Sequence, residues 1–329
     1  MDVRTCRVDQ IDAIALTEGH LSAVVVPELG GKICSVRWRG RELLTRNPLR
    51  PAVYDRPYAD FDASGFDECL PTIGACAYPA WPWQATPVPD HGEVWSIPWL
   101  CQVAGKRLHL SVHGVRFPYV FEKTIELRPF GAIRLDYTFI NLSPFPFPFI
   151  WSAHPLLAPR PGMRIHLPAG TRVRLDWSKA GRLGDPLAEP DWPMTRDRDG
   201  RTVDMSLIGD PACGHVDKLY TTTLGEGWCA VHDPADGLYV AMFFPLDRVP
   251  YVGLSINQGG WPVDRPAYYN LGLEPCNGYP DRLDVAVAAG DCPVAAPGER
   301  IEWHLDLHVG CVPDLPAELA RLKDGVVAA

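Results

Sequence analysis

Apolar and polar residues alternate with a period of two over much of the chain. In the clearest run, residues 301–309, an Ile, a Trp, two Leu and a Val occupy every second position. A period of two places successive side chains on opposite faces of an extended strand, so the run predicts a half-buried strand. The same alternation recurs over 108–113, 120–127 and 133–140. The pattern therefore predicts an all-β protein.

Turn and helix signals agree with that prediction. Arg39-Gly40 and Asp236-Gly237 lie between apolar runs, as the turns of antiparallel hairpins do. Only the tail, residues 315–322, combines a proline near its start with an apolar helical face, and it predicts a short C-terminal helix. Because strands and helices do not alternate along the chain, a doubly wound nucleotide-binding sheet is not expected.

One segment, residues 179–214, departs from the strand pattern. It carries four Pro and many charges with little periodicity, which is typical of a long surface loop or insertion. Strand patterning resumes on both sides of it. We therefore expect one domain over residues 1–329, interrupted by this irregular segment.

Composition and charge narrow the choice of partners. Pro and Gly make up roughly 19% of the chain, below the ~25–30% typical of disordered sequences, and 47% of the residues are hydrophobic. The net charge is −9 and basic residues do not cluster, which disfavours nucleic acid and anionic membranes as partners. The N-terminus lacks a charged-then-apolar signal, and the longest apolar run, 238–246, is about half of a bilayer span. The expected location is the cytoplasm.

Metal and phosphate signatures are weak or missing. The ten cysteines contain no C-x-x-C pair, which favours reduced, mostly buried thiols. His304, Asp306 and His308 share a strand face that could hold a metal, but a solvent-facing strand explains the pattern at least as well. Glycine-rich phosphate loops and the G-x-S-x-G nucleophile elbow do not occur. No metal site is predicted.

A few ionisable residues stand alone in apolar, Pro- and Trp-rich surroundings. They include His91, His154 at the end of an apolar strand, and Glu274 at the end of another. Burial shifts the pKa of such groups unless hydrogen bonds satisfy them. Each one has an ordinary structural explanation when taken singly, but together they invite a common functional one.

Five short motifs occur in an order that resembles the aldose 1-epimerase family of galactose-mutarotase-like proteins. They are Pro27–Ile33, Asp90–Glu93, Ser152–Pro155, Val216–Leu219 and Leu273–Pro275. The resemblance covers roughly residues 20 to 310. It implies a β-supersandwich of two large twisted antiparallel sheets packed face to face, in agreement with the period of two.

The resemblance also implies site residues and an activity, the interconversion of sugar anomers. On this basis His154 corresponds to the general acid and Glu274 to the general base. His91 corresponds to a second histidine that holds the sugar near its ring oxygen, and Asp217 to an acid that binds a sugar hydroxyl.

One motif departs from the family pattern. Many relatives continue as His-Gly-Phe-Ala-Arg, whereas this chain continues from His91 through Gly92 and Glu93 to Trp95. Loss of the arginine disfavours hexose phosphates as substrates. The indole of Trp95 is a candidate platform for the apolar face of a pyranose. Lys32, in the first motif, is a further candidate sugar contact.

The chemistry of anomer exchange explains why two groups are enough. A base removes the proton from the C1 hydroxyl while an acid protonates the ring oxygen; the ring opens, the C1–C2 bond rotates, and closure follows on the other face. An imidazolium that titrates near neutrality suits the role of acid. Because the roles reverse on closure, no cofactor is expected, and the expected partner is a small-molecule sugar.

Two other functions remain open from the sequence. A carbohydrate-binding or regulatory protein could keep the fold and the sugar pocket without turnover. A glycoside hydrolase could use Asp217 and Glu274 as its pair of acids. The sequence specifies neither the sugar nor the oligomeric state.

Overall fold

The predicted strands pair into two large antiparallel sheets in a computed structural model that describes residues 1–184 and 189–327. In chain order the strands are β1 (Asp2–Val8), β2 (Ile11–Glu18), β3 (Leu21–Val26), β4 (Lys32–Trp38), β5 (Arg41–Glu42), β6 (Phe66–Cys69), β7 (Cys76–Ala77), β8 (Pro87–Val88), β9 (Leu100–Ala104), β10 (Arg107–His113), β11 (Tyr119–Arg128), β12 (Ala132–Asn141), β13 (Phe147–Pro148), β14 (Ser152–Leu157), β15 (Arg164–His166), β16 (Val173–Ser178), β17 (Met194–Arg196), β18 (Thr202–Asp204), β19 (His215–Thr221), β20 (Trp228–His232), β21 (Leu238–Phe243), β22 (Tyr251–Gln258), β23 (Tyr269–Cys276), β24 (Val294–Ala295) and β25 (Arg300–Cys311).

The larger sheet has 11 strands in the order β1-β2-β3-β4-β6-β14-β23-β22-β19-β16, with β5 paired to β4. The smaller sheet has eight strands in the order β15-β20-β21-β25-β12-β11-β10-β9. Three two-stranded ribbons, β7-β8, β13-β24 and β17-β18, lie outside these sheets. The predicted all-β class is confirmed.

Two helices complete the described regular structure, α1 (Leu283–Ala289) and α2 (Leu315–Val327). The predicted C-terminal helix is α2, whose Leu315 and Leu319 pack on Trp228 and Tyr239 of the smaller sheet. Helix α1 is too short for a helical period to show in the sequence, and it was not predicted. Among the described residues, no helix is both long enough and apolar enough to cross a membrane.

Residues 179–214, expected to be irregular, contain a small amount of regular structure. The ribbon β17-β18 and two short 3-10 turns, Lys179–Gly181 and Pro211–Cys213, fall within the segment. Part of the expected loop, residues 185–188, lies outside the described residues.

The space between the two sheets is filled by one continuous apolar cluster rich in aromatic rings. The rings of Phe121, Tyr137 and Trp303 stack on the smaller sheet, and Tyr137 contacts Trp151, which immediately precedes β14 of the larger sheet. Alternating inward and outward side chains along each strand build such a core between stacked sheets.

A buried ion pair crosses this core. Lys123 of β11 donates hydrogen bonds to a carboxylate oxygen of Glu68 on β6 at 2.7 Å and to the carbonyl oxygen of Gly31 at 2.9 Å. The hydroxyl of Tyr137 donates to the other oxygen of Glu68 at 3.0 Å. Both charged side chains are fully buried. The ion pair therefore links the smaller sheet to the larger one through β6, which lies next to β14.

Replacing Lys123 with Met is expected to destabilise the protein by about 3–5 kcal/mol, because it leaves the Glu68 carboxylate buried and unpaired. Denaturant titration followed by fluorescence measures the loss. Adding Glu68→Leu to Lys123→Met should restore most of the free energy of unfolding, since both buried charges are then gone. Arg300→Met, which breaks an exposed pair with Glu302, is the control and should cost only about 0–1 kcal/mol. An equally small effect of Lys123→Met would contradict this account of the core.

Candidate functional site

A cavity of about 460 Å³ opens on the larger sheet and is lined by several ionisable side chains. Strands β14, β19, β22 and β23 form its floor, and loops that include Tyr58, His91 and Trp261 form its walls. A larger groove of about 780 Å³ lies near Cys6, but its charged residues, Arg7, Asp12 and Glu28, are exposed. Of these two, the smaller cavity is the one lined by buried ionisable groups, among them His154 and Glu274.

The proposed acid and base face each other across two neighbouring strands. Strand β14 pairs with β23 with Ser152 opposite Cys276 and Leu156 opposite Gly272, so the register places His154 opposite Glu274. The Nε2 atom of His154 lies 3.9 Å from Oε1 of Glu274. Both side chains are at least nine-tenths buried. The structure thus brings the two residues together in one cavity.

Two glycines give the Glu274 side chain room to lie along the sheet. A Cβ atom at Gly272 would stand 2.2 Å from Oε1 of Glu274, and one at Gly253 would stand 3.0 Å from Oε2. These positions belong to Glu274's own strand and to its neighbour β22, where Gly253 is directly opposite Glu274. The absence of side chains there allows the carboxylate to reach the cavity.

Lys218 holds one oxygen of the Glu274 carboxylate and leaves the other free. Its ammonium donates to Oε2 of Glu274 at 2.5 Å, whereas Oε1 is buried and has no hydrogen-bond partner among the described residues. Burial would lower the pKa of Lys218, but the charges of Asp281 and Glu274 outweigh it and raise the pKa well above its usual value. Lys218 is therefore charged at neutral pH, and an unsatisfied carboxylate oxygen faces the cavity.

The two histidines form an interacting pair with opposite pKa shifts. Their ring centroids are 5.0 Å apart. Burial would lower the pKa of His91, but the charge and hydrogen bond of Asp90, 3.0 Å from His91 Nδ1, raise it. Burial, followed by the charges of His91 and Lys218, lowers the pKa of His154 well below the usual value.

This result corrects one expectation from the sequence. His154 was expected to be an imidazolium that titrates near neutrality, yet in the folded protein it is neutral at pH 7 because burial and nearby cations disfavour its charged form. The shifts instead favour His91 as the histidine of the pair that takes a proton, since Asp90 raises its pKa. His91 is further held by stacking on Tyr58, at a ring distance of 4.3 Å.

Asp217 does not line the cavity, contrary to its predicted role in binding a sugar hydroxyl. Its neighbours on β19, Val216 and Lys218, line the cavity, so the alternation of the strand turns Asp217 to the opposite face. There its carboxylate accepts a hydrogen bond from Ser178 at 2.8 Å and pairs with Arg182. The prediction was wrong about the face of the strand.

Trp95 and Lys32 also lie away from the cavity. Trp95 is 3% exposed, packs edge-on against Tyr58, and donates its indole N–H to the carbonyl of Asp90, so no sugar can stack on it. Lys32 is 3% exposed and pairs with Asp62 at 2.7 Å. Neither residue is among those that line the cavity.

Glu93, which replaces part of the family motif, is also structural. It is fully buried and accepts hydrogen bonds from the hydroxyls of Tyr54 and Tyr119 and from the backbone N–H groups of Val115 and Arg116. Its carboxylate is therefore satisfied in the wall of the cavity and has no free oxygen for a ligand.

Several residues that line the cavity were not predicted from the sequence. A β-bulge in β16 between Leu175 and Trp177 brings both Asp176 and Trp177 to the cavity, although neighbours on a regular strand point to opposite faces. Trp177 is 46% exposed and offers an open indole face, and Trp261 lies on another wall. A bulge leaves no signature in a single sequence, and a tryptophan among 11 carries no signal of its own.

Comparisons with known proteins agree with this architecture. No protein-family model matches the chain. A search of curated proteins likewise finds no match. Among solved structures, a protein of Synechocystis sp. PCC 6803 superimposes with a TM-score of 0.70 at 17% identity, covering 95% of this chain and 100% of its own.

Two further structures carry names that describe a function. A proposed aldose 1-epimerase from Escherichia coli K12 matches with a TM-score of 0.65 at 18% identity, covering 91% of this chain and 98% of its own. A galactose mutarotase related enzyme from Lactobacillus acidophilus matches with a TM-score of 0.66 at 14% identity, covering 92% and 98%. The resemblance inferred from the five motifs is thereby confirmed for the fold, and the chain has the architecture of the galactose-mutarotase-like proteins.

Proposed function

We propose that this protein is an aldose 1-epimerase-like isomerase that interconverts the anomers of a sugar by acid/base opening of the ring. The observation that carries the proposal is the buried Oε1 atom of Glu274, which has no hydrogen-bond partner among the described residues and lies 3.9 Å from Nε2 of His154. A base and an acid on different strands can reach the two ends of the hemiacetal, the C1 hydroxyl and the ring oxygen.

Glu274 is the proposed base. The ammonium of Lys218 fixes the second oxygen of the carboxylate, so Oε1 is free to accept the proton of the C1 hydroxyl. A buried carboxylate oxygen without a partner is costly unless a ligand satisfies it. The sugar hydroxyl provides that hydrogen bond and is activated by it.

The histidine pair is the proposed acid, with His154 nearer the base. Burial lowers the pKa of His154, whereas Asp90 raises that of His91, so in the proposed mechanism His91 stores the proton that His154 passes to the sugar. As the C1–O5 bond opens, negative charge develops on the ring oxygen and favours proton transfer from the pair to the sugar. On closure the proton returns, so the cycle consumes no cofactor.

The charge of the cavity indicates the class of sugar. Four carboxylates line it, from Asp90, Asp176, Glu274 and Asp281, against the cations of Lys218 and His91. Burial and the charge of Asp281 raise the pKa of Asp176 to about 6, as expected where negative charge is in excess. The proposed substrate is therefore an aldose without a phosphate group, stacked on Trp177 or Trp261.

The two alternatives fare differently. A hydrolase that uses Asp217 and Glu274 loses its pair of acids, because Asp217 faces away from the cavity. A sugar-binding protein without turnover needs only the cavity and its indoles, which are present whether or not Glu274 acts as a base. Measured turnover separates it from the isomerase.

Glu274→Gln is expected to slow anomer exchange by about 10²–10⁴-fold, because the amide cannot accept the C1 proton. NMR saturation transfer or polarimetry on a panel of neutral aldoses measures the rate. Asp217→Asn is the matched control and should retain most of the activity. If wild type accelerates none of the sugars, yet calorimetry shows that it binds one, the protein is a binding protein and the proposal fails.

Gly272→Ala is expected to lower kcat/KM by about 10²-fold, because the new Cβ at 2.2 Å from Oε1 displaces the base. The same NMR assay reports the rate, and the thermal midpoint shows whether the fold is retained. Gly225→Ala, where an added Cβ meets nothing within 4 Å, is the matched control. Wild-type activity in Gly272→Ala would show that Glu274 does not need its present position.

The rate should fall as the pH rises through the raised pKa of His91, because His91 then gives up the proton that the mechanism passes to the ring oxygen. Asp90→Asn removes the charge that raises this pKa, so the decline should move to lower pH. A pH–rate profile of each protein tests the shift, with Asp60→Asn, an acid of the neighbouring loop, as the control. Identical alkaline limbs in wild type and Asp90→Asn would rule out His91 as the proton store.

A further inference from the structure

Three side chains of the kind that bind transition metals meet at the inner end of the cavity. The Sγ atom of Cys69 and one ring nitrogen each of His91 and His154 lie within 4.8 Å of one another. They come from three different elements, β6, a loop and β14. Cys69 is a free, fully buried thiol, in agreement with the reduced, mostly buried cysteines that the sequence predicts.

The backbone register explains why the thiol lies on this face. Strand β6 pairs with β14, with Cys69 opposite Ser152 and Asp67 opposite His154. Residues two apart on a strand share a face, so the thiol lies on the same face as His154. Glu68, between Asp67 and Cys69, points the other way and forms the ion pair with Lys123 across the core.

The surroundings of the two imidazoles resemble the outer shell of a metal site. Nδ1 of His91 bonds to Asp90 at 3.0 Å, which leaves Nε2 open, and Asp90 is itself fixed by the backbone N–H of Tyr58 at 2.9 Å. A carboxylate that orients a histidine in this way is the usual partner of a metal-bound imidazole.

Unsatisfied buried atoms supply a second, independent indication. Nδ1 of His154 and Oε1 of Glu274 are buried without hydrogen-bond partners among the described residues. Buried lone pairs that find no donor carry a desolvation cost. A cation at the cluster would interact favourably with both groups, and the proposed mechanism makes no use of the thiol.

We propose that the cavity binds a zinc ion through the Cys69 thiolate, His91 and His154. Zinc takes sulfur at ~2.3 Å and nitrogen at ~2.0–2.1 Å in tetrahedral geometry, so the three atoms need to close by about 1 Å. The thiol proton and the proton stored on His91 leave to solvent as the ion binds, because the metal takes a thiolate and neutral imidazoles. The fourth position faces the cavity, where water or the free oxygen of Glu274 completes the coordination.

This ion regulates the site, a consequence that rests on the proposed function. A metal-bound His154 cannot pass a proton to the sugar, and the metal also immobilises His91. Zinc should therefore inhibit anomer exchange reversibly, and a chelator should restore it.

Cobalt(II) is the probe, because a thiolate bound to it produces an intense near-ultraviolet charge-transfer band. Full-length protein freed of metal by a chelator is titrated with cobalt(II), and zinc is then added to displace it. We expect the band to saturate at one ion per chain. Cys69→Ser should lose the band, whereas Cys229→Ser, which removes another buried thiol, should keep it.

Asp90→Asn is the second variant, and it tests the site even if Cys69→Ser fails to fold. It keeps the thiol, so the band should remain, with affinity weaker by about 10–100-fold. A wild-type protein without the band, a band that persists in folded Cys69→Ser, or unchanged affinity in Asp90→Asn would overturn the proposal.

The assay distinguishes this failure from that of the proposed function. Anomer exchange without a cobalt band would refute the metal site and leave the isomerase standing. A band that depends on Cys69, without exchange of any sugar by metal-free protein, would establish the metal site and refute the isomerase. Metal-free Cys69→Ser should exchange anomers and resist zinc.

Discussion

The hydrogen-bonded register of β14 between β6 and β23 is the constraint on which the site depends. It places His154 opposite Asp67 on one side and opposite Glu274 on the other. Because side chains alternate along a strand, a slip of one residue would turn His154 into the space between the sheets. Both faces of β14 are buried, and this burial holds the register. The position of His154 opposite Glu274 is therefore a consequence of the packing of β14.

Strand β6 shows how the core and the cavity share one piece of backbone. Glu68 points into the core and pairs with Lys123, while Cys69 and Asp67 point to the other face. Tyr58 bonds to Asp67 at 3.0 Å and supports His91 by stacking. The ion pair between the sheets and the cavity that contains His91 are thus separated by a single strand.

Much of the fold could be predicted from the sequence, because a period of two is a local property. The pairing of His154, Glu274 and His91 also followed from short motifs. The sequence does not show as easily which face of a strand each side chain occupies. Asp217 and Lys218 are neighbours in one motif, yet only Lys218 lines the cavity.

The other features that the sequence did not predict depend on contacts between distant parts of the chain. The sequence predicted Trp95 as a platform for a sugar, but its burial depends on Tyr58 and Phe61 from a distant loop. The grouping of Cys69 with two histidines arises only when three separate elements meet. Neither fact is encoded in the local spacing of residues.

The bulge at Asp176 lies in the edge strand β16, apart from the central strands that carry His154 and Glu274. The ionisable pair sits on paired central strands, whereas Asp176 and Trp177 owe their orientation to one extra residue in an edge strand. Deleting that residue would exchange the surface that a ligand meets while leaving the central strands in place. The surface that borders the cavity can therefore change through insertions and deletions at the margin of the sheet, independently of His154 and Glu274.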